Sequence, residues 1–231
     1  MTEAATLLAL CDAAEGRPET RALRLLRAAG EREPEALDLD TACRRLLHLE
    51  QATVGGVLES LVSCPACGVR NALAIDPAAL SARPADGDVV RVEVAGHRVD
   101  ARPPTLGDFA AAAATGDETA AAALLLERSV VRTEPATPAA ELAPEVVAAV
   151  EAALDAAYPL ADPRIEVTCE TCGVATTVAF EAAEFLAAEL AVRGRRTMAE
   201  VATLARAFGW SEREILALPA SRRRVYLELA W

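Results

Sequence analysis

Residues 62–80 read VSCPACGVRNALAIDPAAL, and residues 167–185 read VTCETCGVATTVAFEAAEF. The two stretches align without a gap. Val62, Cys64, Cys67, Gly68, Val69, Ala74 and Ala78 recur as Val167, Cys169, Cys172, Gly173, Val174, Ala179 and Ala183. Similar residues fill other places: Ser63 and Thr168, Leu73 and Val178, Asp76 and Glu181, Leu80 and Phe185. Each copy reads as a Cys-x-x-Cys-Gly turn, a short strand, an acidic cap and a helix. Two cysteines at this spacing in a tight turn aim both sulfurs at one ion, at about 2.3 Å per Zn–S bond. The glycine after the second cysteine frees the backbone for a positive φ, and N–H groups of the turn can donate to the thiolates. One such knuckle supplies two ligands, whereas structural zinc takes four in a tetrahedron. The expected site is therefore one Zn²⁺ per chain on Cys64, Cys67, Cys169 and Cys172, closed to other ligands and so structural, not catalytic. Two knuckles with separate partners across a dimer, a redox dithiol and incidental cysteines are the alternatives. Neither copy has the Trp-flanked setting of a thioredoxin.

The two pairs are separated by 101 residues, far more than the usual spacing of a zinc ribbon. The middle of the chain then reads as an insertion between two halves of one ribbon, and closing such a loop costs entropy only logarithmically with length. The expected architecture is α+β and mainly α-helical. Residues 1–60 form an N-terminal helical region; 61–80 plus 165–182 form the split zinc ribbon; 81–164 form an insertion with a β-hairpin and helices; 183–231 form a C-terminal helical region. One zinc would clamp distant residues and make the insertion and both helical ends one body.

Working outward from the knuckles, residues 2–63 read as helices. Leu7, Leu8 and Cys11 form a short apolar stripe that Gly16 and Pro18 end, and Leu23, Leu25 and Leu26 lead to Gly30, a C-terminal stop. Asp40 reads as the N-cap of a third helix carrying Cys43, Leu46, Leu47 and Val54. In the middle, Val90, Val92 and Val94 alternate with Arg91 and Glu93, and Ala95-Gly96 turns the chain back through Val99 and Ala101. A helical stretch from about Asp108 to Arg132 follows. A proline-bearing linker from Glu134 to Pro144 and a helix from Glu145 to Tyr158 complete the insertion. Near the end, Thr197-Met-Ala-Glu200 and Ser211-Glu-Arg-Glu214 read as capping boxes. Trp210 and Ile215 stand at the two positions of a hydrophobic staple. Met198, Val201, Ala205 and Phe208 give one apolar face up to Gly209. Pro219 opens a last helix with Val225, Tyr226 and Leu229 on its apolar side.

Composition sets outer bounds. The chain has 231 residues, 53% hydrophobic, with 35 acidic and 23 basic residues and a net charge of −12; every basic residue other than its two histidines is Arg. That acidity argues against general nucleic-acid or anionic-membrane binding. No apolar run approaches the roughly 20 residues that span a bilayer, and the first residues lack the pattern of a signal peptide. The expected location is cytoplasmic, where six cysteines are better explained as metal ligands or buried thiols than as disulfides. Cys11 and Cys43 read as small buried hydrophobes. His48 reads as a partly buried surface residue and His97 as exposed in the hairpin turn. Arg222-Arg223-Arg224 reads as a solvated face or as caps for acidic side chains, with docking onto an acidic partner surface as the sharper alternative. Trp231 reads either as a docked anchor or as a partner contact. Gly55-Gly56 and Gly87 lack the strand–turn–helix setting of a phosphate loop, and no catalytic constellation is apparent, so the chain is not expected to be an enzyme.

The order of parts carries a resemblance. A Leu/Ala-rich helical start runs into CPACG. The middle passes through Arg-Pro-Pro-Thr-x-x-Asp-Phe (102–109) to Leu-Leu-Glu-Arg-Ser-Val-Val (125–131). CETCG precedes Phe180-Glu-Ala-Ala-Glu-Phe185, and residues 198–219 read MAEVATLARAFGWSEREILALP. This resembles the T4-type phage baseplate protein family, found in contractile phages and in phage-tail-like extracellular contractile injection systems. The resemblance covers nearly the full chain, and its most telling segments are the knuckles and the FGW-S-x-x-EIL-x-L tail. It implies a structural component or assembly factor of the baseplate hub, with hub, spike, tube or tape-measure proteins as partners and a place in or on a tail-like particle. One departure stands at Ser129, where the resemblance leads to the expectation of a cysteine; it does not touch the four-cysteine site. From a different class, a zinc-ribbon adaptor or transcription-associated regulator is the alternative.

Overall fold

The structure is a computed structural model that describes residues 3–82, 85 and 87–230. In chain order its helices and strands are α1 (Glu3–Ala14), α2 (Arg21–Ala28), α3 (Leu39–Thr53), β1 (Leu58–Ser63), β2 (Arg70–Ile75), α4 (Pro77–Ser81), β3 (Val90–Val94), β4 (His97–Ala101), α5 (Leu106–Ala113), α6 (Glu118–Ser129), β5 (Val130–Glu134), α7 (Pro144–Ala157), β6 (Arg164–Thr168), β7 (Ala175–Ala179), α8 (Ala182–Phe208), α9 (Glu212–Ala217) and α10 (Ala220–Leu229). The chain is mixed α/β with helix predominant. It divides into two units, one of residues 1–30 with 183–231, the other of residues 31–182.

The first unit is all helical. Along α8 the buried residues Leu186, Leu190, Gly194, Thr197, Val201 and Leu204 recur every three or four positions, the period of one helix face. Ala4, Val201, Leu204, Ile215 and Leu216 form one core cluster, with Trp210 and Tyr226 packed against it. Each fully buried leucine or isoleucine in such a core is worth about 2 kcal/mol. The Trp210 ring stacks on Phe208 at 4.8 Å and meets Tyr226 edge-on at 4.8 Å. The second box is formed: Ser211 accepts from the Glu214 N–H while Glu214 accepts from the Ser211 N–H. Trp210 and the fully buried Ile215 flank it as the staple expects. The first box is not formed. Thr197 lies inside the 27-residue α8, buried, because helix runs without a break from Ala182 to Phe208. Met198 is 47% exposed, so Thr197 and not Met198 belongs to the inner face. On α10 the inner residue is Arg223, which bonds Glu200 at 3.1 Å and the Leu218 carbonyl at 3.3 Å, whereas Val225 and Leu229 face outward. Trp231 lies outside the described residues.

Close approach within this unit has a visible cause. The Cys11 thiol donates to the Leu190 carbonyl at 3.2 Å, and a Cβ placed on Gly194 would stand 2.7 Å from the Cys11 sulfur. Glycine at 194 is thus a steric requirement inside a helix, where it otherwise costs about 1 kcal/mol relative to alanine.

The second unit is built around an antiparallel sheet of order β3-β4-β5. The hairpin β3–β4 forms as its alternation implies, with Val92 opposite Val99. The third strand departs from the expected single helix over 108–132: that stretch is α5, a break at Thr115-Gly116, α6, and then β5 paired with β4. Val99, Ala101, Leu142, Val146 and Val150 make the core between sheet and α7. The linker 134–144 contains a single 3₁₀ turn, Ala139–Glu141, and is held by the Thr133 hydroxyl, which bonds both the carbonyl and the N–H of Thr137. The N-terminal helices also end earlier than expected. Helix stops at Thr53, and 58–63 is the strand β1, paired along its full length with β2. The N-cap of α3 is Asp38, whose side chain accepts from the Thr41 N–H at 2.8 Å. Asp40 instead is 0% exposed, because its carboxylate accepts from the Leu160 N–H at 2.8 Å and from Arg44 at 2.6 Å. No helix among the described residues is long and apolar enough to cross a membrane.

Candidate metal centre

Two hairpins carry the site. β1 and β2 are antiparallel, with Ser63 opposite Arg70, and the first knuckle fills the turn between them. β6 and β7 are antiparallel, with Thr168 opposite Ala175, and the second knuckle fills theirs. The strand that enters each knuckle is an addition to the repeat as read from the sequence. Within the turns the backbone repeats closely. Cys64 N–H donates to Val69 O and Gly68 N–H to Cys64 O, both at 2.9 Å; Cys169 N–H to Val174 O and Gly173 N–H to Cys169 O are also both 2.9 Å. Gly68 and Gly173 both stand at φ +73°, the left-handed conformation that admits glycine without strain.

The fold brings all four cysteines to one point. Cys64 Sγ is 3.6 Å from Cys172 Sγ, Cys67 Sγ is 3.6 Å from Cys169 Sγ, and all four sulfurs lie within 4.8 Å of one another. A tetrahedral ion with bonds of about 2.3 Å separates its ligand atoms by about 3.8 Å. The set therefore fits a tetrahedral thiolate site with little adjustment. The same distances are far beyond the roughly 2.05 Å of a disulfide. One chain supplies every ligand, so no second copy is needed to complete the set. All four belong to the 31–182 unit. An ion there would close the chain around the insertion, whereas residues 1–30 and 183–231 supply none of the ligands.

Backbone dipoles prepare the sulfurs. The N–H groups of Cys67 and Ala66 donate to Cys64 and hold its thiol below the ordinary value. The N–H groups of Cys172 and Thr171 do the same for Cys169, bringing it to about 6. At Cys172 the Val174 N–H pulls downward, but hydrogen bonding to Cys64, burial and the sulfurs of Cys169 and Cys67 push it up to about 12. Cys67 is raised likewise, burial and Cys169 prevailing over the Val69 N–H. Without metal the buried first cysteine of each knuckle is thus the better thiolate, hydrogen-bonded to the exposed second cysteine of the other knuckle.

One residue of this site escaped the reading of the sequence. Asn71, on β2, is 6% exposed. Its amide nitrogen donates to Val69 O at 3.2 Å and Val62 O at 3.4 Å in its own hairpin, and its oxygen accepts from the Glu170 N–H in the other knuckle at 3.2 Å. It fastens the two knuckles to each other beside the sulfurs. Its repeat counterpart is Thr176, so the bridge exists once and the pair of hairpins is not symmetric there.

The remaining candidates stand outside the cluster. Cys43 is buried, and burial together with the Asp40 charge pushes its thiol up to about 12. Cys11 is half-buried and raised by burial and Asp12. His48 is exposed; His97 is half-buried and lies near the Ala95 carbonyl and Thr137. Among the described residues the four knuckle cysteines are the one group arranged to hold a metal ion. Comparison with protein-family models, curated proteins and solved structures finds nothing that matches this chain.

Proposed function

We propose that the chain is a structural or assembly protein of the baseplate hub of a contractile phage tail or phage-tail-like injection system, held together by one structural Zn²⁺ in a split two-knuckle ribbon. The observation that carries the zinc is the convergence of four sulfurs within 4.8 Å of one another from two knuckles 102 positions apart. Thiolate-only ligation by four cysteines selects zinc or an iron–sulfur centre, and two CxxC knuckles in hairpin turns favour zinc. A fully ligated ion has no open position for substrate, so its part is to fasten the insertion's two ends. The chain in this reading is an interaction protein and not an enzyme, working in the cytoplasm before or while it joins a particle.

The baseplate setting rests on the resemblance of the knuckles and of residues 198–219. What supports it in the fold is that this tail is a packed unit: the FGW segment supplies the Phe208–Trp210–Tyr226 ring cluster, and the EIL segment supplies the buried Ile215 and Leu216. Two measurements test the two halves separately. Metal analysis of the purified chain should give one zinc per chain; iron or no metal refutes the site. A tagged pull-down from the native host should recover hub, spike, tube or tape-measure proteins. Recovery of polymerase or nucleic acid instead would replace the baseplate reading with the adaptor reading.

A further inference from the structure

We infer that the chain associates with itself, the outer face of α10 in one copy docking into the acidic-rimmed apolar groove beside α6 and α7 in a second copy. The groove lies wholly in the 31–182 unit. On one side a cavity of about 220 Å³ is lined by Leu125, Leu126, Val150 and Leu154, with Pro103 and Pro104. On the other a trough of about 880 Å³ is lined by Leu126, Val130, Val147 and Ala148, and Leu126 and Glu151 belong to both. The only residue of α6 that is fully buried is Ser129, so its three leucines are left partly uncovered in the single chain. Glu127, Glu151 and Asp155 line this valley with exposed carboxylates that make no ion pair among the described residues, and the lining cation, Arg132, is paired with Glu134. An apolar floor with an anionic rim takes an amphipathic helix whose apolar residues are flanked by cations.

The chain itself carries that helix face. On α10 Val225 is 53% and Leu229 66% exposed, one turn apart, with Arg222 one turn before Val225 and Arg224 beside it. Arg222 and Arg224 are exposed and make no ion pair among the described residues, whereas Arg223 between them is turned inward to Glu200. On a chain of net charge −12, two unpaired guanidinium groups beside two uncovered aliphatic side chains form the complement of the groove in both charge and polarity. Each copy offers both surfaces. Association therefore closes as a reciprocal pair or continues head to tail.

Sedimentation velocity of the metal-loaded full chain, over a range of concentrations and at low and high salt, tests this. The expected result is a mass above the monomer that rises with concentration and falls with salt. Val225→Asp with Leu229→Asp should weaken association by about tenfold or more and leave the circular dichroism of the chain unchanged, since both side chains are solvent-facing. A charge reversal separates docking from misfolding. Chains carrying Arg222→Glu and Arg224→Glu, and chains carrying Glu151→Arg and Asp155→Arg, should each be monomeric alone and should associate when mixed. A monomer at every concentration in low salt overturns the inference. So does association that both sets of variants leave intact, or reversed chains that stay apart when mixed.

Discussion

Replacing Asn71 tests whether the two knuckles are fastened to each other by protein as well as by metal. Asn71→Ala removes three hydrogen bonds, of 3.2, 3.2 and 3.4 Å. The Val69 carbonyl keeps its bond from the Cys64 N–H, so the loss falls mainly on the Glu170 N–H, the link that crosses between knuckles. At about 1 kcal/mol net per bond, and less for long ones, the loss is about 1–3 kcal/mol. Because the bridge and the four sulfurs join the same two knuckles, that loss is expected to appear as weaker metal binding. With 1.4 kcal/mol per decade it amounts to roughly five- to 140-fold. Asn71→Asp sharpens the test. It keeps an acceptor for Glu170 but gives up both donated bonds and sets a carboxylate beside four thiolates, so it should bind metal more weakly than Asn71→Ala. Competition with a chromophoric zinc chelator measures both. Wild-type affinity in the alanine variant, or an aspartate variant that binds better than alanine, would refute the assignment of Asn71 as the bridge.

Three further outcomes follow from other parts of the molecule. Cys169→Ser should leave the chain without its metal and lower the stability of the 31–182 unit by about 4 kcal/mol or more; unchanged metal content or melting would remove the single-site reading. Gly194→Ala drives a methyl against the Cys11 sulfur, 2.7 Å away, and should cost about 1–3 kcal/mol in urea unfolding. Adding Cys11→Ala should recover most of that, and a double variant no better than the single one would show the clash is elsewhere. Asp108 gives a pH signature. Burial raises its pKa, but the Thr105 N–H and the guanidinium groups of Arg102 and Arg128 bring it from 3.8 down to about 2. Since the folded value is depressed, its stabilisation is complete above about pH 4 and is lost as pH falls through about 2. It is on the order of 1–2 kcal/mol after solvent screening. Urea midpoints between about pH 5 and 2 should show this step in the wild type and a smaller one in Asp108→Asn.

The parts of the fold legible in the sequence are those whose cause is local. The knuckles could be read because a CxxCG turn needs only its own residues, and because the flanks repeat. The β3–β4 hairpin could be read from five alternating residues and an Ala-Gly turn. Features set by distant partners could not. Thr197 and Glu200 have the spacing of a capping box, yet a cap forms only where the helix starts, and the α8 core face carries helix straight through them. Asp40 has the chemistry of an N-cap, but its carboxylate answers an N–H 120 residues away, leaving Asp38 to cap. Val130 to Glu134 follow three leucines without a break, so their pairing with β4 is hidden in what reads as one helix. Arg223 looks like the middle of a basic run until Glu200 is set opposite it. Asn71 gives no sign at all, because its oxygen acts across 99 residues.

The division of the chain also sets an order in time. Residues 1–30 belong with 183–231, and everything between them forms the other unit. As the polypeptide is made, the unit that carries the four cysteines has all its parts once residue 182 is out, and it can fold at once. Residues 183–231 then take about 2–10 s more at roughly 5–20 residues per second. Until they emerge, Leu10, Leu25 and Leu26, all buried in the finished fold, wait without the rest of their unit. Residues 1–30, made before the unit that follows them, are thus sheltered after it.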